Sequence, residues 1–329
     1  MVISKRQEEL LKLIVEEYIK NVRPVGSHSI CDIMKCSSAT IRAEMNHLEE
    51  LGLLEKTHIS SGRVPSEKGY RYYVDNIMKP TELSMDDRYK LQTIVDNKAL
   101  VVNDVILKSM EIISELTHYT TIVLGNQSND NLVEKVEVIP LDSNNIVAII
   151  VTNKGNVQHR NIYIKDNVDS AEIKKTVDLI SKLITGVSIC KVSEVLEYEV
   201  KPIIAKYVKQ HEVLYNAFYN AFADFANESI KVSGRKNILM QPEFNSTDKI
   251  REIISKFEDK DIVNNIKEED SGINIYIGSE NNFDDDVTVI KTKYNVNGTE
   301  GTIALIGPKR MEYDRVITLL EYIKDNIEK

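Results

Sequence analysis

Ser37-Ser38-Ala39-Thr40-Ile41-Arg42-Ala43-Glu44-Met45-Asn46-His47-Leu48-Glu49-Glu50-Leu51-Gly52 opens with hydroxyl side chains and closes on a glycine, the punctuation of one complete helix. Ile41, Met45 and Leu48 recur at i, i+4 and i+7 and form one buried stripe. The opposite face carries Ala39, Arg42, Ala43 and Asn46. Small residues near a helix N-terminus permit close approach to a base-pair edge, and Arg and Asn can make bidentate contacts with guanine and adenine. The face suits a DNA major groove.

Working outward, a first helix is expected over about Ser4 to Val22, with Leu11, Ile14 and Tyr18 inward, broken by Arg23-Pro24-Val25-Gly26. Ser27 is expected to cap a short second helix carrying Ile30, Ile33 and Met34, and Lys35-Cys36-Ser37 is the turn between the two short helices. After Gly52, Leu53 to Thr57 has strand character, His58 to Gly62 reads as a polar tip, and Arg63-Val64-Pro65 returns. This is a wing whose Lys56, His58 and Arg63 can touch phosphate or the minor groove. Tyr70, Tyr73 and Ile77 at helical spacing read as core beneath it.

A chain of 329 residues, 42% hydrophobic and 28% charged, has room for two or three globular domains. No apolar run approaches the roughly 18 residues of a membrane span, and Met1 to Glu8 lacks a signal-peptide core, so a cytoplasmic location and no membrane partner are expected. Cys31, Cys36 and Cys190 fit neither a disulfide framework nor a zinc site. The formal charge of -9 is unevenly spread: residues 1–79 hold 12 basic and 11 acidic side chains, leaving 30 against 40 for the rest. A nearly neutral DNA reader gains little from phosphate contacts, so specificity has to come from base readout and dimerisation.

Beyond Pro80, helices are expected between Asp86 and Thr117, then β-rich runs at Thr120 to Leu124, Val133 to Pro140, Ile146 to Val151 and Val157 to Ile164, with Asn153 to Asn156 as a hairpin turn. A helix over Ala171 to Ile184 follows. The β pattern returns at Ile273 to Ile277, Val287 to Tyr294 and Thr302 to Ile306, with Asn297-Gly298 as a turn, before a last helix from Met311 to Ile327. Two β-rich blocks separated by helix suggest one antiparallel α+β domain with an insertion. Within that insertion Pro202 to Ile230 has a strong helical pattern, and Phe218, Phe222 and Phe225 crowd three of the chain's six phenylalanines into eight residues. That surface needs a cover; together with Tyr207 and Tyr215 it is either a two-fold dimer face or part of the monomer core.

Enzymatic constellations are incomplete: there is no Gly-x-x-x-x-Gly-Lys loop, no Gly-x-Ser-x-Gly elbow and no His-Glu-x-x-His helix. Glu280, Asp284, Asp285 and Asp286 lack Ca²⁺-loop spacing and read as a solvated loop, and no metal or cofactor is expected. Two rival functions carry specific requirements. A bifunctional biotin ligase needs a Gly-Arg-Gly-Arg type loop, whereas the Gly-Arg pairs here, Gly62-Arg63 and Gly234-Arg235, are not repeated. A metabolite-sensing winged-helix regulator needs an effector pocket in the body.

Arg23-Pro24-Val25-Gly26-Ser27, Ser38 to Arg42, and His58-Ile59-Ser60-Ser61-Gly62-Arg63-Val64-Pro65-Ser66-Glu67-Lys68-Gly69-Tyr70-Arg71 resemble the winged-helix domain of the heat-inducible transcription repressor family HrcA. The likeness resumes in Gln241 to Phe244, Ile277 to Asn281 and Ile306 to Tyr313, so it spans the chain. It implies residues 1–79 as a winged helix-turn-helix, 80–186 plus 271–329 as a GAF-like domain, and 187–270 as an inserted dimerisation domain. It also implies a homodimer on the CIRCE inverted repeat upstream of chaperone operons, with a chaperonin partner whose loss under heat stress relieves repression. Candidate DNA contacts are His28, Ser38, Ala39, Thr40, Arg42, Ala43, Asn46, Lys56, His58 and Arg63. The departures cluster on the reading face: the family usually has Arg at His28, Asn at Ala43, Asp at His47 and a small residue at Asn46.

Overall fold

The computed structural model describes residues 3–328 apart from 57–61, 99, 101, 126–130, 143, 154, 156, 165–168, 208–211, 214, 221–229, 260–261, 264–265, 267–271 and 297–298. Helix α1 (Lys5–Asn21) starts on a capping box in which Ser4 and Gln7 exchange side-chain and backbone hydrogen bonds. Helix α2 (Ser27–Met34) has Gly26 as its cap, so Ser27 is the first helical residue and not the cap expected; its hydroxyl meets Ser38 Oγ at 2.8 Å. Helix α3 (Ser38–Glu50) is capped by Ser37, which accepts from Thr40 N–H at 3.2 Å, and the chain leaves it through Gly52 at φ +75°.

Strands β1 (Leu54–Lys56) and β2 (Arg63–Pro65) pair antiparallel with Lys56 opposite Arg63. Val25 extends this ribbon, exchanging both backbone bonds with Arg63 at 2.8 and 2.9 Å. The approach requires glycine at position 62, where a Cβ would lie 2.4 Å from the Val25 carbonyl oxygen. Helix α4 (Glu67–Tyr72) then runs into a wider helical turn, Tyr73–Ile77.

By backbone contact the chain divides into two compact units, residues 1–124 with 231–329, and residues 125–230. The first continues with α5 (Met85–Val95), α6 (Val102–Thr117) and β3 (Thr120–Gly125). The second holds an antiparallel sheet of β4 (Val133–Pro140), β5 (Asn145–Thr152) and β6 (Val157–Tyr163), then α7 (Ser170–Ile184), α8 (Val192–Val195), a π-helical stretch Leu196–Val200 and α9 (Lys201–Tyr207). Ile146, Ile150 and Ile162 from the strands meet Ile180, Ile184, Leu196 and Ile204 from the helices in one core. That shared core is why the grouping differs from the boundaries read from sequence: β4 to α7 belong with the helices that follow them.

The remaining elements return to the first unit: β7 (Ile230–Ser233), α10 (Arg235–Leu239), α11 (Thr247–Glu258), β8 (Ile273–Ile277), β9 (Val287–Val296), β10 (Thr299–Pro308) and α12 (Tyr313–Ile327). They form a five-stranded sheet in the order β7-β3-β10-β9-β8, and the helix expected to reach Ile230 gives way there to a strand. Asn237 secures the return, its amide donating to the Ser114 and Tyr119 carbonyls at 3.1 and 3.2 Å. Residues 1–79 do not stand apart from this body. Leu10, Ile14, Ile41, Leu48, Tyr70 and Tyr73 share a core with Ile277, Tyr313, Val316 and Leu320. Among the described residues no helix is long and apolar enough to cross a membrane.

Candidate nucleic-acid interface

The stripe Ile41, Met45 and Leu48 is buried, as the spacing requires, which turns Ala39, Arg42, Ala43 and Asn46 outward on α3, all exposed. Arg42 has no ion-pair partner among the described residues, and its side chain is exposed. Thr40 is half-buried, its hydroxyl 2.9 Å from Ser37 Oγ, and Ser38 is occupied by Ser27. Those two hydroxyls therefore brace the helix-turn-helix. His28 is exposed near the start of α2.

The departure at His47 has a local explanation. Its Nδ1 accepts from the Gln7 amide at 2.7 Å, and the same amide donates to Glu44 at 2.8 Å, while Arg6 pairs with Glu44. His47 and Glu44 thus tie α3 to α1, which removes them from the side that carries Arg42.

The wing corrects one expectation. Lys56 is exposed and lies 3.0 Å from Glu49. Arg63, read from sequence as a phosphate contact, is only 8% exposed; its Nε lies 2.8 Å from Glu49 and its Nη2 donates to Asn46 Oδ1 at 2.6 Å. Buried in this way, the guanidinium holds the wing base to α3 and does not stand open to solvent as the sequence reading has it. His58 lies outside the described residues.

The motifs that lie far apart in sequence meet on a second face of the winged helix. Arg71 pairs with Glu280, its Nε donating at 3.0 Å, and Glu67 accepts from Ser279. Tyr70 and Tyr313 rings lie 6.1 Å apart, and Arg310 bonds Gln241 at 2.9 Å and pairs with Glu243. Sequence reading missed these pairings, because partners roughly 70 to 240 residues apart share no local period. In the loop read as solvated, Glu280, Asp285 and Asp286 are exposed, but Asp284 is buried and takes Lys249 at 2.8 Å and Lys256. Burial raises its carboxyl, but the two ammonium groups outweigh this and hold it below the usual carboxylate range.

Of the aromatic set read as a dimer face, Tyr215 and Phe218 are 5% and 0% exposed within the core of their own unit. Burial against α8, α9 and their π-helical connector takes the cover that the sequence demanded. The side chain of Tyr207, and Phe222 and Phe225, lie outside the described residues. A small, partly open pocket bordered by Ile262, Tyr276, Phe283 and Lys291 offers about 20 Å³ to water.

Residues 2–76 match the family described as winged helix-turn-helix transcription repressor, HrcA DNA-binding, and residues 103–317 match the HrcA protein C terminal domain. The heat-inducible transcription repressor HrcA of Bacillus pumilus is 36% identical, with 99% of this chain and 97% of that protein covered. The repressor of the same name from Oceanobacillus iheyensis is 37% identical over 99% and 96%. A solved structure described as a hypothetical protein superposes at a TM-score of 0.68 with 22% identity, covering 99% of this chain and 98% of its own, which supports the fold from end to end. Both ends of the chain matching in order, the chain belongs to the HrcA family of heat-inducible transcription repressors, DNA-binding proteins and not enzymes.

Proposed function

We propose that this chain represses chaperone operons as a homodimer on an inverted-repeat operator, the family's CIRCE element, with a chaperonin as the partner that keeps it active. The observation that carries the reading is the exposed face of α3, where Arg42 and Asn46 stand among small residues beside the wing. A palindromic site follows from a two-fold dimer, each α3 entering the groove one helical turn from its mate. The body, a five-stranded sheet with helices, is read as the GAF-like part, and unit 125–230 as the dimerising insertion.

The surface that favours dimerisation is the outer side of the β4-β5-β6 sheet. Ile139, Val157 and Tyr163 are 46, 63 and 61% exposed there, around the half-buried Val147, Ile149 and Val151. Val157→Asp or Tyr163→Asp gives folded monomers in sedimentation velocity, whereas Phe218→Asp unfolds the unit by burying a charge. Gel-shift titration tests the DNA half: Arg42→Ala loses about 1–3 kcal/mol of operator preference per half-site. Equal losses on operator and scrambled duplex would remove Arg42 from base reading. Chaperonin added to the same titration raises the fraction of repressor that binds.

A further inference from the structure

We infer that Arg63 sets the hydrogen-bonding sense of Asn46, so that α3 presents a donor to an acceptor-bearing base edge, guanine foremost, where an untethered asparagine reads adenine. The inference rests on α3 being the groove-reading helix. Asn46 is exposed one turn beyond Arg42, and the Arg63 guanidinium donates to its Oδ1 at 2.6 Å. A guanidinium has N–H donors and no acceptor, so the amide atom turned toward it must be the oxygen. The Nδ2 group then points away from the wing.

Adenine recognition by asparagine uses both ends of the amide, Oδ1 accepting from N6–H and Nδ2 donating to N7. Here one lone pair of the accepting end is engaged in a charge-assisted bond, stronger than a neutral one, which holds the oxygen turned toward the wing. Turning it toward a base would strip a bond from a cation that is 8% exposed. The guanidinium has little room to follow the amide, because Arg63 is buried, is bonded through its backbone to Val25, and has its Nε 2.8 Å from the Glu49 carboxylate. What remains outward is an N–H₂ group, matched by the paired acceptors N7 and O6 of guanine and opposed by the N4–H₂ donor of cytosine. Arg63 is thus a positioning residue that sets specificity from behind the helix.

Selection of bound duplexes from a random pool, using the full-length chain, tests this. In the wild type, the position in each half-site that Asn46→Ala flattens prefers guanine to adenine by roughly ten-fold. Asn46→Asp keeps an oxygen for Arg63 and replaces the outward donor by an acceptor, so preference there moves to cytosine or adenine. Arg63→Met frees the amide and moves preference to adenine; should that variant fail to fold, Asn46→Asp decides alone. Three results would overturn the inference: adenine or cytosine preferred by the wild type at that position, an unchanged profile in Asn46→Asp, or uniform weakening of all duplexes in a folded Arg63→Met. Arg42→Ala separates the two levels. If it relaxes its own position while Asn46→Ala relaxes none, only the Asn46 assignment falls; if neither alters any position, the groove reading falls as well.

Discussion

Two faces of the winged helix are built on opposite plans. On the outward face of α3, Ala39, Arg42, Ala43 and Asn46 stand in solvent, and Arg42 has no ion-pair partner among the described residues. On the docked face Glu67, Tyr70 and Arg71 are each met by a residue of the body, Ser279, Tyr313 and Glu280. Of the segments that carry the family resemblance, Glu67 to Arg71, Gln241 to Glu243, Ser279 to Glu280 and Arg310 to Tyr313 converge on the second face, while the departures at His28, Ala43 and Asn46 fall on or beside the first. Side chains on the outward face of α3 can change without disturbing the packing, because the contacts that join the winged helix to the body lie on the other face.

The docked face depends most on Tyr313, fully buried against Tyr70. Tyr313→Ala removes about 3–5 kcal/mol in urea unfolding, and a loss under about 1 would mean that the docked face is not a coherent core. Asp284 comes next, since it anchors the far end of the loop that begins at Gly278 and Ser279. Asp284→Asn costs about 1–3 kcal/mol at neutral pH. Because the folded carboxyl titrates below its unfolded value, the wild-type contribution is full above about pH 4 and fades as pH falls further. The variant therefore shows a flatter acid limb in thermal melts from pH 5 to 2, and an unchanged limb would take Asp284 out of the acid response.

Arg71→Ala sharpens the contrast at smaller scale. The pair with Glu280 is partly open to solvent, with side chains 28% and 36% exposed, so the loss is about 1 kcal/mol. Operator discrimination in gel shifts stays at the wild-type value; a changed base preference would mean that the two faces are coupled. Smallest is Lys56→Ala, whose stability change stays within about 0.5 kcal/mol. It weakens operator and scrambled duplex alike and lowers the slope of log affinity against log salt by about 1. An unaltered slope would leave Lys56 without a phosphate contact.

Local patterns were legible where one element declares its own surroundings. The Ser37 cap, the Ile41, Met45 and Leu48 stripe and Gly52 delimited α3 within a residue, and the β4 to β6 runs stood close to their observed bounds. Reading failed where partners were distant. Arg63 looked like an exposed wing cation because nothing in its neighbourhood announces that Glu49 and Asn46, a helix earlier, turn toward it. Phe218 could be read either as a dimer face or as monomer core, because helical spacing reports that a stripe is buried without saying by what.

The sequence by itself determined the kind of protein this is: a helix-turn-helix with a wing, and a mixed body behind it, since caps, turns and apolar periods act over a few residues. The tertiary structure alone decided which charged side chains remain available. Whether an arginine meets a nucleotide or a neighbouring carboxylate depends on strands and helices brought within 3 Å of it by folding, and burial then makes the internal partner the stronger one.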